Sequence, residues 1–293
     1  MKKILFIVNP VSGGKDKEGI LRIVGEEIGR KRFEYETVLT ACPGHATSIA
    51  SECDADIVVA VGGDGTVSEV AKGIAGTSKT LGIIPCGSGD GLALHLGISR
   101  NPRKAARQLC EARFVPMDYG LVCGHPFFCT TGVGFDAVVS KDFAASRTRG
   151  LLTYITTAWN AWKHFTPEEY TLDADGVLWK GKAALITVGN VNQWGNNAKI
   201  APGASVVDGK LDITIVTPFN LADILPLAAR LMTGHAAGSR KTICMRAGRI
   251  RITRAGAAPA HFDGDPIELG SSLDITVAPS KVNVAVPSGK KKI

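Results

Sequence analysis

The first third of the chain switches repeatedly between two hydrophobic periods. Residues 3–8 (KILFIV) form an unbroken apolar run, as in a strand covered on both faces, and residues 17–31 then place Ile20, Ile23, Val24 and Ile28 at helical spacing. The same pair of patterns recurs. EYETVLT (34–40), DIVVAVGG (56–63) and TLGIIPCG (80–87) read as strands, while GHATSIASEC (44–53) and TVSEVAKGIAG (66–76) read as helices and DGLALHLGI (90–98) opens another. Strands alternating with helices predict a parallel sheet with crossover connections, whose strand-end turns line one edge. Open α/β sheets bind their ligands at that edge.

Beyond Met117 the pattern changes to short β-rich runs broken by glycine: GKAALITVGN (181–190), GKLDITIVTP (209–218), RIRITRAG (249–256), PAHFDGDPIEL (259–269) and SLDITVAP (272–279). These predict an antiparallel sandwich or barrel, with helices only at 149–165 and 221–235. The expected fold is therefore an α/β nucleotide-binding domain over 1–117 and a β-sandwich domain over 118–293. The last strand is a candidate to return to the first domain.

Composition narrows the partners. The 293 residues carry 34 Lys and Arg against 27 Asp and Glu, a formal charge of +7 that favours anionic partners. Seven cysteines with no C-x-x-C spacing argue against a disulfide framework or a zinc site and for a reduced, cytoplasmic protein. The amino-terminal apolar run, Ile4 to Val8, is too short for a signal sequence, and no run approaches the roughly 18 residues that cross a bilayer.

Three strand ends carry glycine-rich turns: NPVSGGK (9–15), GGDGT (62–66) and CGSGDG (86–91). Glycines there let backbone N–H groups approach an anion, and the helix that follows directs its positive end at it. Ser12, Thr66 and Ser88 add hydroxyls. A single turn of this kind is ordinarily just a tight connection; three on one sheet edge predict a polyphosphate site. The P-loop and dinucleotide fingerprints are both absent. Asp64, among the glycines, either meets phosphate through Mg²⁺ or caps the helix starting near Thr66.

Taken in order, NPVSGG, Thr40 with Gly44-His45-Ala46, GGDGTVSEV, IPCGSGDGLALHLGI, MDYG, TTGVGFDA, KIAPGASVVDGKLDITIV and FDGDP resemble the diacylglycerol kinase and sphingosine kinase superfamily over nearly the whole chain. The resemblance implies an ATP- and Mg²⁺-dependent lipid kinase. It implies nucleotide contacts at Asn9, Pro10, Ser12, Gly13, Thr40, Gly62, Gly63, Asp64, Gly65, Thr66, Glu69, Gly87, Ser88 and Gly89. It also implies catalytic magnesium near Asp64 and Asp118, a second ion near Asp208, and a base for the acceptor hydroxyl at either Asp64 or Asp265. Two positions depart from the family pattern. Asp90, followed by Gly91, stands where Asn is usual, and either supplies metal-directed charge or repels phosphate; Asp265 stands where Glu is usual.

The implied acceptor is a hydroxyl of a diacylglycerol, sphingosine or ceramide type of lipid. Residues 151–165 (LLTYITTAWNAWKHF) offer an apolar helix for it, and RKTICMRAGRIRITR (240–254), six cations and no acid, offers a face for an anionic membrane surface. Aromatics do not interleave with those cations, so nucleic acid is not expected. Two other readings stay open: a kinase of a soluble acceptor, as in NAD kinases, and a non-catalytic nucleotide or lipid sensor. The oligomeric state is also open, a homodimer being one option. His261, two residues before Asp263, shapes the site or fills the core.

Overall fold

A computed structural model describes residues 2–14, 16–30, 33–146, 151–290 and 292–293. Lys15, Lys31, Arg149 and Gly150, which the readings above included in a turn and two helices, lie outside the described residues.

The chain divides into two compact units, residues 1–118 with 279–293, and residues 119–278. The first runs β1 (Lys3–Val8), α1 (Lys17–Arg30), β2 (Glu34–Leu39), α2 (His45–Glu52), β3 (Ile57–Gly62), α3 (Asp64–Ile74), β4 (Thr80–Pro85), α4 (Gly91–His95), α5 (Pro102–Cys110) and β5 (Arg113–Met117). Strands β1, β3 and β4 are buried along nearly their whole length, as continuous apolar runs covered on both faces must be. β2, mixed in polarity, takes the exposed edge. Helix α5 was not read from the sequence because its buried side is made of Ala105, Ala106 and Leu109, too small an apolar signal. It begins at a clear stop-start device: Asn101 accepts the Lys104 N–H and Pro102 occupies the first turn. Arg103 and Arg107 of α5 then converge on the buried Glu27 of α1 at 2.7 and 2.9 Å.

The second unit runs β6 (Gly120–Val122), β7 (His125–Phe127), β8 (Thr130–Gly134), α6 (Phe135–Ala145), α7 (Leu151–Trp162), β9 (Glu168–Ala174), β10 (Val177–Ala183), β11 (Leu185–Gly189), β12 (Leu211–Val216), α8 (Leu221–Thr233), β13 (Thr242–Ala247), β14 (Arg249–Thr253), β15 (Ala258–Phe262), β16 (Asp265–Leu269) and β17 (Ser272–Val277). The sheets β10-β9-β14-β17-β6-β7 and β13-β12-β11-β8-β15-β16 share one core, in which Leu172, Ile252 and Leu273 from the first meet Val133, Ile186 and Ile213 from the second. A third helix, α6, interrupts the stretch read as purely β-rich: Gly134, at φ 90°, ends β8 and turns the chain directly into it.

After β17 the chain returns to the first unit as β18 (Val282–Val286), which lies between β4, parallel, and β5, antiparallel. The sheet order there is β2-β1-β3-β4-β18-β5. Residues 279–293 thus belong to the α/β unit.

Tight hairpins set the sandwich register. Asp175-Gly176 joins β9 to β10 and Asp263-Gly264 joins β15 to β16, all four residues at positive φ, the geometry of the turn that matches strand twist. Both aspartates also grip backbone elsewhere. Asp263 accepts the N–H groups of Phe128, Cys129 and Thr130, and Asp175 accepts those of Gly248 and Arg249 at 2.8 and 2.9 Å.

The two amides, Gly248 first and Arg249 next, hold the Asp175 carboxyl below the usual aspartate range. A depressed folded-state pKa contributes stability that is present above the unfolded value, near 4, and is lost as pH falls through the folded value. Asp175→Asn should therefore lower the urea midpoint at pH 7, and the gap from the parent should close on acidification toward about pH 3. Urea titrations at the two pH values check this; a gap independent of pH would remove the ionised carboxylate from the account.

Candidate active site

The three glycine turns meet at one edge of the first sheet. β1, β3 and β4 are parallel neighbours, so their carboxyl ends emerge side by side. The turn after β1 crosses the turn after β4 at Gly13, where an added Cβ would lie 1.8 Å from the carbonyl oxygen of Cys86. The turn after β3 touches the same segment at Gly63 and Gly87; a Cβ on Gly87 would fall 2.6 Å from the Gly63 Cα. No residue with a side chain fits at Gly13 or Gly87 without moving backbone.

Polar links complete the junction. Asn9 Nδ2 donates to Thr66 Oγ1 at 3.2 Å, and the Asn9 carbonyl accepts the Ser12 hydroxyl at 3.2 Å. The buried Lys17 donates to the Ser12 carbonyl. Of the hydroxyls counted as phosphate donors, that of Thr66 ties the first two turns together, that of Ser12 is engaged within its own turn, and Ser88 is exposed. Pro10 and Gly13 lie exposed in the first turn, and Gly65 and Thr66 occupy the first turn of α3.

Asp64 is the first residue of α3, and Gly63 stands at the capping position before it. The Asp64 carboxylate accepts the N–H groups of Asp90 and Gly91, at 2.8 and 2.6 Å, which open α4. Two turns on neighbouring strands are joined through one side chain. Glu69, expected at the nucleotide, instead directs both carboxylate oxygens to the amides of Gly44 and Ala46 at the start of α2, at 2.9 and 3.1 Å. It thereby orders the segment that follows Thr40, itself linked to β1 by its N–H to the Val8 carbonyl.

Within the first unit, the other carboxylates expected at magnesium, Asp90 and Asp118, have partners of their own. Asp90 is buried at φ 51°, with Oδ1 on the Gly87 N–H at 2.9 Å and Oδ2 3.0 Å from Arg100 Nε. Its charge faces arginine rather than an open cation position. Asp118 follows β5, whose Met117 pairs with Val282, while Asn283 pairs with Thr80 at the amino end of β4. The sheet therefore sets Asp118 at the edge opposite Asp64, more than six strand steps or at least about 20 Å away along the strands. There it pairs with Lys281 at 2.8 Å. Asp208, in the second unit, is paired with Arg246, which also reaches Asp212 at 3.2 Å. Burial, chiefly, raises the Asp212 carboxyl above the usual range despite that arginine. Within the first unit, the strand directions and the partners Arg100 and Lys281 hold Asp90 and Asp118 apart from the Asp64 carboxylate.

Among the described residues no group of three or more His, Cys, Asp or Glu could by itself cage a metal ion. Magnesium in phosphoryl-transfer sites needs no such cage, since one or two carboxylates, water and the substrate phosphates hold it. Asp64, at the convergence of the turns, fits that requirement.

In the second unit Asp265 opens β16, exposed, immediately after the turn that Asp263 anchors. A buried polar group, not foreseen as a unit, lies behind that hairpin: His261 Nε2 is 3.3 Å from Asp136 Oδ2, which also accepts the Thr187 hydroxyl at 2.7 Å. His261 is thus a core histidine with a carboxylate partner. The basic stretch 240–254 is largely spent internally. Arg254 donates to the carbonyls of Ala258, Pro259, Leu269 and Gly270, and Arg251 pairs with Asp274 at 2.6 Å. Arg249 and Arg251 line a groove of about 920 Å³ together with Asp173, Asp175 and Asp274, so the expected basic face is balanced by three acids.

Residues 3–122 match the family described as Diacylglycerol kinase catalytic domain, and residues 129–286 that described as YegS C-terminal NAD kinase beta sandwich-like domain. The chain is 30% identical over 273 residues to a diacylglycerol kinase of Bacillus subtilis, covering 90% of each. It is 28% identical to a Pseudomonas aeruginosa protein named "Probable lipid kinase YegS-like", covering 98% of this chain and 95% of that one. The fold is shared with a crystal structure of a diacylglycerol kinase from Bacillus anthracis, at TM-score 0.77, 21% identity and coverage of 98% and 97%. It is shared more distantly with an ATP-bound NAD kinase from Archaeoglobus fulgidus, at TM-score 0.57, 14% identity and coverage of 97% and 94%. The edge of three interlocked turns thus sits in a chain that belongs to the diacylglycerol kinase and YegS-like lipid kinase family, and the protein is a kinase.

Proposed function

We propose that the protein transfers the γ-phosphoryl group of ATP, with Mg²⁺, to a hydroxyl of a long-chain lipid. The observation that carries this reading is the meeting of three glycine turns around Asp64. Phosphoryl transfer asks a protein mainly to position the phosphates, neutralise their charge and take one proton from the acceptor. The first-turn amides of α3 and the glycine amides beside them supply positioning, since helix-start N–H groups have no partner within the helix. Magnesium, when bound, would be held by Asp64 and supplies charge neutralisation at the phosphates.

Asp64 already accepts two backbone amides, which suits a fixed anion that holds a turn and a cation. Asp265 is exposed on a hairpin whose turn is anchored through three amides, and it takes the role of base for the acceptor hydroxyl. A lipid acceptor is supported by apolar side chains left in the open on the helices of the second unit. α8 presents Leu221, Leu225 and Met232, exposed by 62, 80 and 54%, within a narrow arc, and α7 presents Ile155 and Trp159. Trp162 of α7 stacks on Phe219, just before α8, at 4.5 Å, so the two helices share a footing. With a formal charge of +7 overall, this apolar surface suits peripheral contact with an anionic membrane. No helix among the described residues is long and apolar enough to cross one.

Transfer of labelled phosphate from ATP to a panel of lipids in mixed micelles tests the function. Lipid phosphorylation is expected; nucleotide binding without transfer to any lipid would favour the sensor reading. Asp265→Asn should lower kcat by about 10²–10⁴-fold with nucleotide affinity retained. Asp64→Asn should weaken Mg·ATP binding. An Asp265→Asn enzyme with parental kcat would return the base to Asp64. Leu225→Asp combined with Met232→Asp should reduce sedimentation with vesicles containing anionic phospholipid, and undiminished sedimentation would remove α8 from the membrane contact.

A further inference from the structure

The third glycine turn is held from outside by a side chain that no motif singled out. Arg100, in the connection between α4 and α5, donates to the carbonyls of Ser88 and Gly89 at 3.0 and 2.6 Å. Its Nε lies 3.0 Å from Asp90 Oδ2, a carboxylate only 1% exposed. The other oxygen of Asp90 accepts the Gly87 N–H. One guanidinium therefore touches three consecutive residues of the turn, its Nη2 on two carbonyls and its Nε beside the carboxylate.

Two consequences follow. A buried carboxylate in a turn read as phosphate-binding would repel the phosphates unless its charge were cancelled on the spot. Arg100 is the cation placed to cancel it. The peptide unit is planar and trans, so its N–H points away from its C=O. Fixing the Ser88 carbonyl on Arg100 therefore fixes the Gly89 N–H in the opposite direction, while the next amide, that of Asp90, is taken by Asp64. The turn is clamped on one side by Arg100 and on the other by Asp64.

We infer that Arg100 is a positioning residue for nucleotide phosphate binding, acting by cancelling the Asp90 charge and by orienting the Gly89 amide as an anion donor. The inference rests on the ATP reading above and adds to it a charge pair particular to this turn. Where Asn stands at the position of Asp90, the Gly87 contact is kept and no countercharge is needed, so the requirement for Arg100 is tied to the aspartate.

The experiment is a double-variant cycle. Arg100→Gln should raise the KM for ATP by about tenfold, with kcat within about twofold of the parent, because a buried anion loses its partner. In the absence of nucleotide, its amide hydrogen exchange should quicken at Gly87, Asp90 and Gly91. Adding Asp90→Asn should recover most of both losses, and the rise in KM with kcat kept is what a purely structural role for the arginine would not predict. An unaltered KM and exchange pattern in Arg100→Gln, or a double variant no better than the single one, would overturn the inference. If Arg100→Gln fails to fold, a folded, ATP-binding double variant supports it and an unfolded double variant overturns it. A parent protein that binds no ATP would sink the proposed function and the phosphate role of Arg100 with it, while the exchange comparison without nucleotide separately decides whether Arg100 clamps the turn by cancelling the Asp90 charge.

Discussion

One carboxylate joins the parts of the site. Asp64 begins a helix on one strand end and binds the two amides that begin the helix on the next, so two turns that the chain builds separately become a single surface. Its setting explains the glycines around it. Adjacent parallel strands lie only about 4.8 Å apart. Turns leaving them can interlock only if backbone meets backbone, as Gly13 meets the Cys86 carbonyl and Gly87 meets Gly63. The small residues make room, and Asp64 fixes what they make room for.

The same economy recurs through the molecule. Carboxylates hold backbone N–H groups at the places where the chain must change direction: Glu69 at the start of α2, Asp175 beside the start of β14, Asp263 before β8. Guanidinium groups hold carbonyls in the same way, Arg254 under the β15–β16 hairpin and Arg100 over the third glycine turn. Such contacts take ionised groups out of circulation. An excess of seven positive charges and a run of six cations suggest a basic surface, yet Arg246, Arg251 and Arg254 are each committed to acids or carbonyls within their own unit.

This is also why motif order alone over-assembled the metal site. Asp118 follows a strand that runs opposite to β4, which carries it to the far edge of the sheet from Asp64. The distance is a property of strand direction, and strand direction for β5 depends on β18, which arrives from the other end of the sequence. Asp90 was ambiguous in the sequence, either a metal ligand or a source of repulsion. Arg100, ten residues on and outside every motif, removes the ambiguity by pairing with it.

By itself the sequence determined the alternation of strand and helix in the first unit, the β-rich character of the second and the three turns at strand ends. All of these are local: continuous apolar runs, helical spacing and glycine clusters each act over a few residues, and each has one low-energy solution. It left α5 and α6 unseen, since alanines and a glycine-flanked start give little periodic signal. Only the tertiary structure decided which charges meet. It placed β18 between β4 and β5, turned Glu69 onto α2, set Arg246 against Asp208 and closed Arg100 over Asp90. The reason is physical: a side chain's partner is chosen by the path of distant backbone through space, and nothing within its own short stretch of sequence records that path.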